Sequence, residues 1–201
     1  ILAGYPLGAF FGNYFVRDAN GNLSLDAGGR PIAATTTGTT LARKVIGDPN
    51  PDWILSLSNT IDYKKLSFSF LIDGAQGQQV FNADRRTRQG VGIGDYAEKE
   101  AKGQVPRGHI WSISATEECR VQRASNINIR EADLSYQLPA LAKFINSVTI
   151  SVVGRNLISW DTYDGYDPET NAAGNSAVLR GIDFGNVPIP KTMQLTFKAT
   201  F

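Results

Sequence analysis

The segment Lys191–Phe201, KTMQLTFKATF, alternates without a break. Met193, Leu195, Phe197, Ala199 and Phe201 are apolar, and Thr192, Gln194, Thr196, Lys198 and Thr200 are polar. A period of two puts these sets on opposite faces of one strand. A half-buried sheet in water gives the same alternation. The aromatic last residue, and a length near the roughly 10 residues a tilted strand needs to cross a bilayer, point instead to a membrane barrel. The rest of the chain decides the matter by whether it repeats the pattern.

The chain has 201 residues, enough for one ordinary domain. Its formal net charge of +1 gives no reason to expect a polyanion, so no nucleic-acid partner is expected. No apolar run approaches the roughly 18 residues of a membrane-spanning helix, which leaves barrel strands open because they alternate. The single Cys allows no intrachain disulfide framework. The opening, ILAGYPLGAFFGNYF, reads as the interior of a longer protein, processed or only partly present.

Six segments read as strands. Leu7–Val16 is rich in aromatics but broken by Gly8 and Gly12. In Trp53–Asp62, Trp53, Leu55, Leu57 and Ile61 oppose Ser56, Ser58, Thr60 and Asp62. In Lys65–Asp73, Leu66, Phe68, Phe70 and Ile72 oppose Ser67, Ser69 and Asp73, and the short Tyr63-Lys64 link makes the two a hairpin. Ile127–Leu138 carries Ala132, Leu134, Tyr136 and Leu138 on one parity but Ile127 and Ile129 on the other, which predicts a bulge near Arg130 and Glu131. Ser147–Leu157 sets Val148, Ile150 and Val152 against Thr149, Ser151 and Arg155. Lys191–Phe201 is the sixth.

The connections alternate in length. Asp18–Pro51, Gly74–Asn126 and Ser159–Pro190 are long, whereas Tyr63-Lys64 and Pro139–Asn146 are short. Long irregular loops are uncommon in compact domains. Outer-membrane barrels have short periplasmic turns and long outer loops. With a periplasmic C-terminus, every long connection falls outside and every short one inside. Tyr14, Phe15, Trp53, Tyr63, Tyr136, Trp160, Tyr163 and Phe201 lie near strand ends, as interfacial girdles do. Single-chain barrels start at about eight strands, and open edges in lipid cost several kcal/mol per unpaired group, so six strands predict a sector of a larger barrel.

Several stretches, in this order, resemble the C-terminal part of the SusC/RagA-type TonB-dependent outer-membrane transporters of Bacteroidota. They are GYPLGAFFGNYF at Gly4–Phe15, IGDPNPDW at Ile46–Trp53, the hairpin from Ser58 to Asn82, INIREADLSYQLP at Ile127–Pro139, GRNLISWDTYDGYDPE at Gly154–Glu169, and the run from Pro190 to the terminal Phe201. The resemblance covers essentially the whole chain. It departs before the Leu-Ser-Tyr strand, where the family has an aromatic and an Arg and this chain has Asn126 and Asn128. It implies an all-β fold, with residues 1–201 forming the last six strands of an antiparallel transmembrane β-barrel of about 22 strands, its plug and N-terminal domains lying outside this sequence. It implies active import of large nutrients, glycans or oligopeptides, with a SusD-like surface lipoprotein, and location in the outer membrane. The other partners implied are the remainder of the barrel, the plug, outer-membrane lipid and TonB through the absent N-terminal region, in a dimer of transporter–lipoprotein pairs. The family-motif loop is Gly154, Arg155, Asn156, Leu157, Trp160, Tyr163, Gly165, Asp167, Pro168 and Glu169. The motif leading into a strand is Gly47, Asp48, Pro49, Asn50, Pro51, Asp52 and Trp53. Phe197 and Phe201 take the place of the barrel-assembly signal.

Residues with chemistry of their own are few. His109, the only histidine, sits in VPRGHIW with no triad or metal partner in sequence. Cys119, in TEECR, has no apolar segment before it and reads as a loop or strand-end thiol. Asp161, Asp164, Asp167 and Glu169 cluster, but their spacing is not that of an EF-hand, and they read as turn caps. Arg85, Arg86 and Arg88 form a basic run that reads as a solvated loop, and Gly90–Asp95, GVGIGD, reads as flexible loop without a following helix pattern. No cofactor, metal site or enzymatic activity is expected. Two other readings share the alternation: a passive porin-like barrel and a soluble carbohydrate-binding β-domain.

Overall fold

In a computed structural model, residues 2–139, 145–174, 176 and 178–200 are described. In chain order the first strands are β1 (Phe10–Asn13), β2 (Arg43–Gly47), β3 (Trp53–Tyr63), β4 (Leu66–Gln76) and β5 (Gln79–Asn82). Helices α1 (Ala83–Gly90), α2 (Asp95–Ala101) and α3 (His109–Ser114) follow. Then come a short 3₁₀ turn at Glu118–Arg120, β6 (Val121–Arg123), β7 (Asn126–Leu138), β8 (Ser147–Asp161), β9 (Ile182–Asp183) and β10 (Thr192–Thr200). The fold is mostly β but not all-β, because the segment read as one long loop after Gly74 holds the helices.

The chain divides into two compact units. One comprises Asp52–Gln76, Ser125–Thr162 and Pro188–Phe201, and it contains a five-stranded antiparallel sheet in the order β10-β8-β7-β4-β3. The sheet therefore holds five of the six expected strands. Its first hairpin pairs Tyr63 with Leu66, so the turn is Lys64–Lys65, one residue beyond the expected link. Lys64 takes a left-handed φ of 57° to close it. The expected turn Pro139–Asn146 lies largely outside the described residues, as does Phe201.

The predicted bulge is present and runs across strands. Phe70 pairs with Ala132 and Ile72 with Ile129, so β7 spends one more residue than β4 over the same distance, and the extra residue is Arg130. Ala132 pairs with Gly154 and Ile129 with Ile158, so β8 spends one more again, at Asn156 and Leu157. Asn156 has φ 51°, the left-handed geometry that lets a strand bulge. The extra residue in β7 corrects the parity break. Ile127 and Ile129 rejoin the face that carries Ala132, Leu134 and Tyr136. Without it they would point the other way, since a one-residue slip exchanges the faces.

The other unit comprises Ile1–Pro51, Gly77–Ala124 and Tyr163–Val187, so the three long connections gather together. At its centre is the three-stranded sheet β6-β5-β9, with β5 antiparallel to β6 and parallel to β9. Val80, Ala124 and Tyr163 form its buried core. Asn82 caps α1, its Oδ1 accepting from Arg85 N at 2.9 Å. The Glu100 carboxylate accepts from Gly108 N and Ile110 N at 2.8 and 3.0 Å, supplying the cap that α3 lacks from its own Gly108.

The expected first strand, Leu7–Val16, is reduced to β1 and is not in the five-stranded sheet. Gly4 and Gly8 turn the chain with φ near 83–84°. β1 pairs with β2, which lies inside the segment read as loop. Asn13 N, at the end of β1, and Phe15 N, just past it, donate to the carboxylates of Glu117 and Glu118 at 2.8 and 2.7 Å. From Phe15 to Leu41 the chain forms a ladder of isolated antiparallel bridges. Asp18 and Asp26 close its turns by accepting backbone N–H groups, which lowers the pKa of both carboxyls.

Candidate functional site

The five-stranded sheet presents two chemically opposite faces. Following the register across the strands, one face carries Leu55, Leu57 and Ile61 of β3 and Phe68, Phe70 and Ile72 of β4. It continues through Ile129, Leu134 and Tyr136 of β7 and Ile150, Val152 and Ile158 of β8 to Leu195 and Phe197 of β10. Many of these side chains are exposed: Leu57 is 50 % exposed, Leu195 59 % and Phe197 66 %. Burying a large apolar side chain is worth about 1.5–3 kcal/mol, so a row of this length exposed to water is unfavourable. Trp53 and Trp160 mark one end of the face, and Tyr63 and Tyr136 the other. At about 3.3 Å per residue, the stretch from Trp53 to Tyr63 measures about 33 Å, and strand tilts of 35–45° reduce that to about 25 Å, the height of a barrel's apolar band.

The opposite face is polar and internally bonded. Arg130 Nε lies 2.9 Å from both oxygens of Asp73, and Asn128 Nδ2 donates to Asp73 Oδ1 at 3.3 Å and to Asn126 Oδ1 at 2.9 Å. Farther along, Arg155 Nε donates to Glu131 at 2.8 Å, and Ser135 and Ser151 share a 2.9 Å bond. Asn126 and Asn128, where the chain departs from the family pattern, are both nearly buried in this network. The sequence signalled the bulge here, but not that Asp73 and Arg130 would meet across it.

The motif leading into β3 builds a tight junction. A Cβ on Gly47 would sit 2.6 Å from Val121 and 2.8 Å from Gln79 Oε1, so only glycine fits. Asp48 N donates to Gln79 Oε1, Gln79 N returns a bond to the Asp48 carbonyl, and Asp48 Oδ1 accepts from Asn50 N and Nδ2. Asn50 Nδ2 also donates to the Leu7 carbonyl, and Pro49 packs against Gly8 and Gly181. Pro51 ends the first segment of the loop unit, and Asp52 N donates to the Gln76 carbonyl to start the β3–β4 ladder at Trp53.

The motif Gly154–Glu169 does two separate jobs. Gly154, Arg155, Asn156 and Leu157 form the bulged stretch of β8. A Cβ on Gly154 would lie 2.7 Å from Leu157, and Asn156 Nδ2 donates to the Pro190 carbonyl at 3.2 Å. Trp160 stands exposed on the apolar face opposite Ile127. Tyr163 belongs instead to the loop unit's core, where its hydroxyl donates to Asp183 Oδ2 at 2.5 Å. Burial and that bond push the Tyr163 phenol well above its ordinary pKa. Gly165 lies against the Tyr163 ring, where a Cβ would come within 2.1 Å. Asp167 caps the turn through Pro168 by accepting from Glu169 N at 2.9 Å. Asp161 accepts from Ser159, and Asp164 from Gln122. Among the described residues no group of three or more His, Cys, Asp or Glu converges as a metal would require.

Of the remaining candidates, Arg85, Arg86 and Arg88 lie on α1 rather than in a loop, and GVGIGD is the short link to α2, a helix the sequence did not announce. His109 opens α3, its ring 6.0 Å from that of Tyr96, with Nδ1 buried and unpartnered. Cys119 donates to the Thr116 carbonyl, and burial raises its thiol pKa, which disfavours the thiolate a nucleophile needs. Phe15 and Tyr163 are buried in the loop unit, and Tyr14 lies under Lys44, so these three are not girdle residues.

A sheet of this strand length, apolar on one face and polar on the other, has the anatomy of a membrane-barrel wall. No family model matches the chain. Its curated relatives are TonB-dependent receptors of Formosa agariphila. Receptor P26 is 28 % identical over 78 % of this chain, and receptor P3 is 26 % identical over 92 % of it. Receptor P39 is 25 % identical over 82 %. The chain spans 16–19 % of the length of these relatives. Among solved structures it resembles the RagAB peptide importer in its "open-open" state, with TM-score 0.64 and 16 % identity over 98 % of this chain and 23 % of that one. The "closed-closed" state gives TM-score 0.59 and 17 % identity over 96 % and 23 %. The chain is a homologue of the TonB-dependent receptors over most of its own length, and it shares the fold of the corresponding part of such an importer.

Proposed function

We propose that the chain is a wall sector, with its outer loops, of a TonB-dependent transporter of the outer membrane. The observation that carries this is the apolar face across five strands, interrupted in β3 by Asn59 and backed by a hydrogen-bonded polar face. In a bilayer the first contacts lipid tails, and the second lines a lumen. β3 and β10 are the edges of the sheet, and strands from the rest of a barrel of about 22 close them, because unpaired backbone groups in lipid cost several kcal/mol each. The loop unit lies on the outer side, with a SusD-like lipoprotein as its partner. A plug fills the lumen, TonB acts through an N-terminal region outside this sequence, and the assembly is a dimer of transporter–lipoprotein pairs. The cargo is a large nutrient, glycan or oligopeptide. Phe197 and Phe201 serve as the assembly signal.

The test uses cells producing the full-length receptor and fed a radiolabelled mixture of glycan and peptide fragments. Uptake that depends on the receptor and stops when a protonophore collapses the proton-motive force supports the proposal. Uptake indifferent to the protonophore means a passive pore and contradicts it.

A further inference from the structure

We infer that helix α1 borders a binding trough for a neutral oligosaccharide. The inference rests on the transporter reading, under which this unit faces the medium. Two cavities of about 310 and 480 Å³ adjoin along the helix and share Asn82, Arg88 and Asp164 in their linings.

The polar groups of the trough are poorly satisfied by one another. The Arg85 side chain is only 14 % exposed, yet its nitrogens reach the Cys119 carbonyl, Asp95 and Asp164 at 3.4, 3.5 and 3.9 Å. Charge-assisted bonds are normally about 2.7–2.9 Å, so these contacts leave bonding capacity unused. The Tyr96 ring centroid lies 4.9 Å from the guanidinium carbon, a cation–π contact. The Asp95 and Asp164 side chains are 55 % and 74 % exposed and keep open lone pairs. Gln122 donates to Asp164 at 3.0 Å, while its own Oε1 is buried without a partner.

The mixture of signs selects the ligand. An anion would meet Asp84, Asp95 and Asp164, and a cation would meet Arg85 and Arg88. A sugar hydroxyl both donates and accepts, so it suits both kinds of neighbour. Carboxylate, guanidinium and amide groups each offer two atoms side by side, which matches vicinal hydroxyls. Tyr166, 79 % exposed in the second cavity, provides an aromatic platform for the apolar face of a sugar ring. A peptide fits less well. Ile93 is the one aliphatic side chain in the two linings, so side-chain pockets are lacking. β5, which ends at Asn82, is already paired on both edges by β6 and β9, leaving it no edge for strand addition.

The test is calorimetric titration of the purified full-length receptor in detergent with cellohexaose, mannohexaose and xylohexaose, and with a mixture of random hexapeptides. Folding of each variant is checked by heat-modifiable gel mobility, and Tyr166→Ala, at an exposed position, guards against misfolding of the others. Binding of at least one hexasaccharide, weakened about tenfold or more in Kd by Arg88→Ala, Asp164→Ala and Tyr166→Ala, supports the inference. Binding unchanged in the folded variants, binding of peptides alone, or no binding overturns it. Receptor that still imports cargo in a protonophore-sensitive way while showing any of those results defeats the trough and leaves the transporter reading standing. Passive uptake defeats that reading itself.

Discussion

Arg130 Nε lies 2.9 Å from both carboxylate oxygens of Asp73, and Arg130 is the residue that the β4–β7 register skips. The bulge and the ion pair are one feature. The extra residue restores Ile127 and Ile129 to the apolar face, and its own side chain is spent on the polar face against the strand next door. Both members are mostly shielded, at 20 % and 28 % side-chain exposure. A charge-assisted pair so placed contributes more than an open surface pair.

Replacing Arg130 by Met leaves the Asp73 carboxylate with Asn128 as its remaining side-chain donor in the network described above. The expected loss is about 1–2 kcal/mol of unfolding free energy. It is measured by denaturant unfolding of the full-length protein in detergent. An Asp73→Asn, Arg130→Met double-mutant cycle should show coupling between the two, and strictly additive effects would contradict it.

Leu57 and Ser58 are neighbours in β3 on opposite faces, near the middle of the strand. An arginine at Leu57 should cost about 2–4 kcal/mol, the price of a charge at the bilayer midplane. An arginine at Ser58 should cost much less. Folded yield in the outer membrane and unfolding in lipid both report the difference.

Tyr163→Phe removes the hydroxyl bonded to Asp183, which is 5 % exposed and retains a 3.4 Å bond from Thr170 Oγ1. The expected cost is about 1–3 kcal/mol, confined to the loop unit. It is seen as faster amide exchange in β5 and β9. Gly165→Ala should be worse, because the new Cβ meets the Tyr163 ring. The phenol's pKa is raised in the folded state, so its stabilisation is present below the ordinary tyrosine value of about 10 and is lost as pH rises through the folded value.

The backbone N–H groups of Ile110 and then Gly108 lower the Glu100 pKa. A depressed carboxyl stabilises the fold above its unfolded pKa of about 4.3, and that contribution is lost as pH falls through the lower folded value. Protection of the amides at the start of α3, taken relative to their intrinsic exchange rates at each pH, should therefore fall on acidification in the native protein. In Glu100→Gln this acid-dependent step should vanish.

The five-stranded sheet was legible because its information is local. Alternation, strict only in β10, located β3, β4, β8 and β10, and the parity break between Ile129 and Ala132 located the bulge. The helices were not legible. α1, ADRRTRQG, has no apolar stripe, and its position depends on the Asn82 cap. β2 and β9 are short, and their partners lie far off in sequence. The motif residues could be picked out, but not their roles. That Gly165 is needed by the Tyr163 ring, or that Trp160 and Tyr163 belong to different units, follows only from how the chain folds.

The central claim is that one face of β3 contacts lipid and the other does not. Single cysteines are placed at each position from Ile54 to Ile61 in a Cys119→Ser background of the full-length protein, spin-labelled and reconstituted in liposomes. Collision with oxygen, which concentrates in lipid, and with a water-soluble nickel chelate is then measured. The account predicts that oxygen access peaks at Leu55, Leu57, Asn59 and Ile61. Access to oxygen without that period of two, or odd positions reached mainly by the chelate, would contradict it.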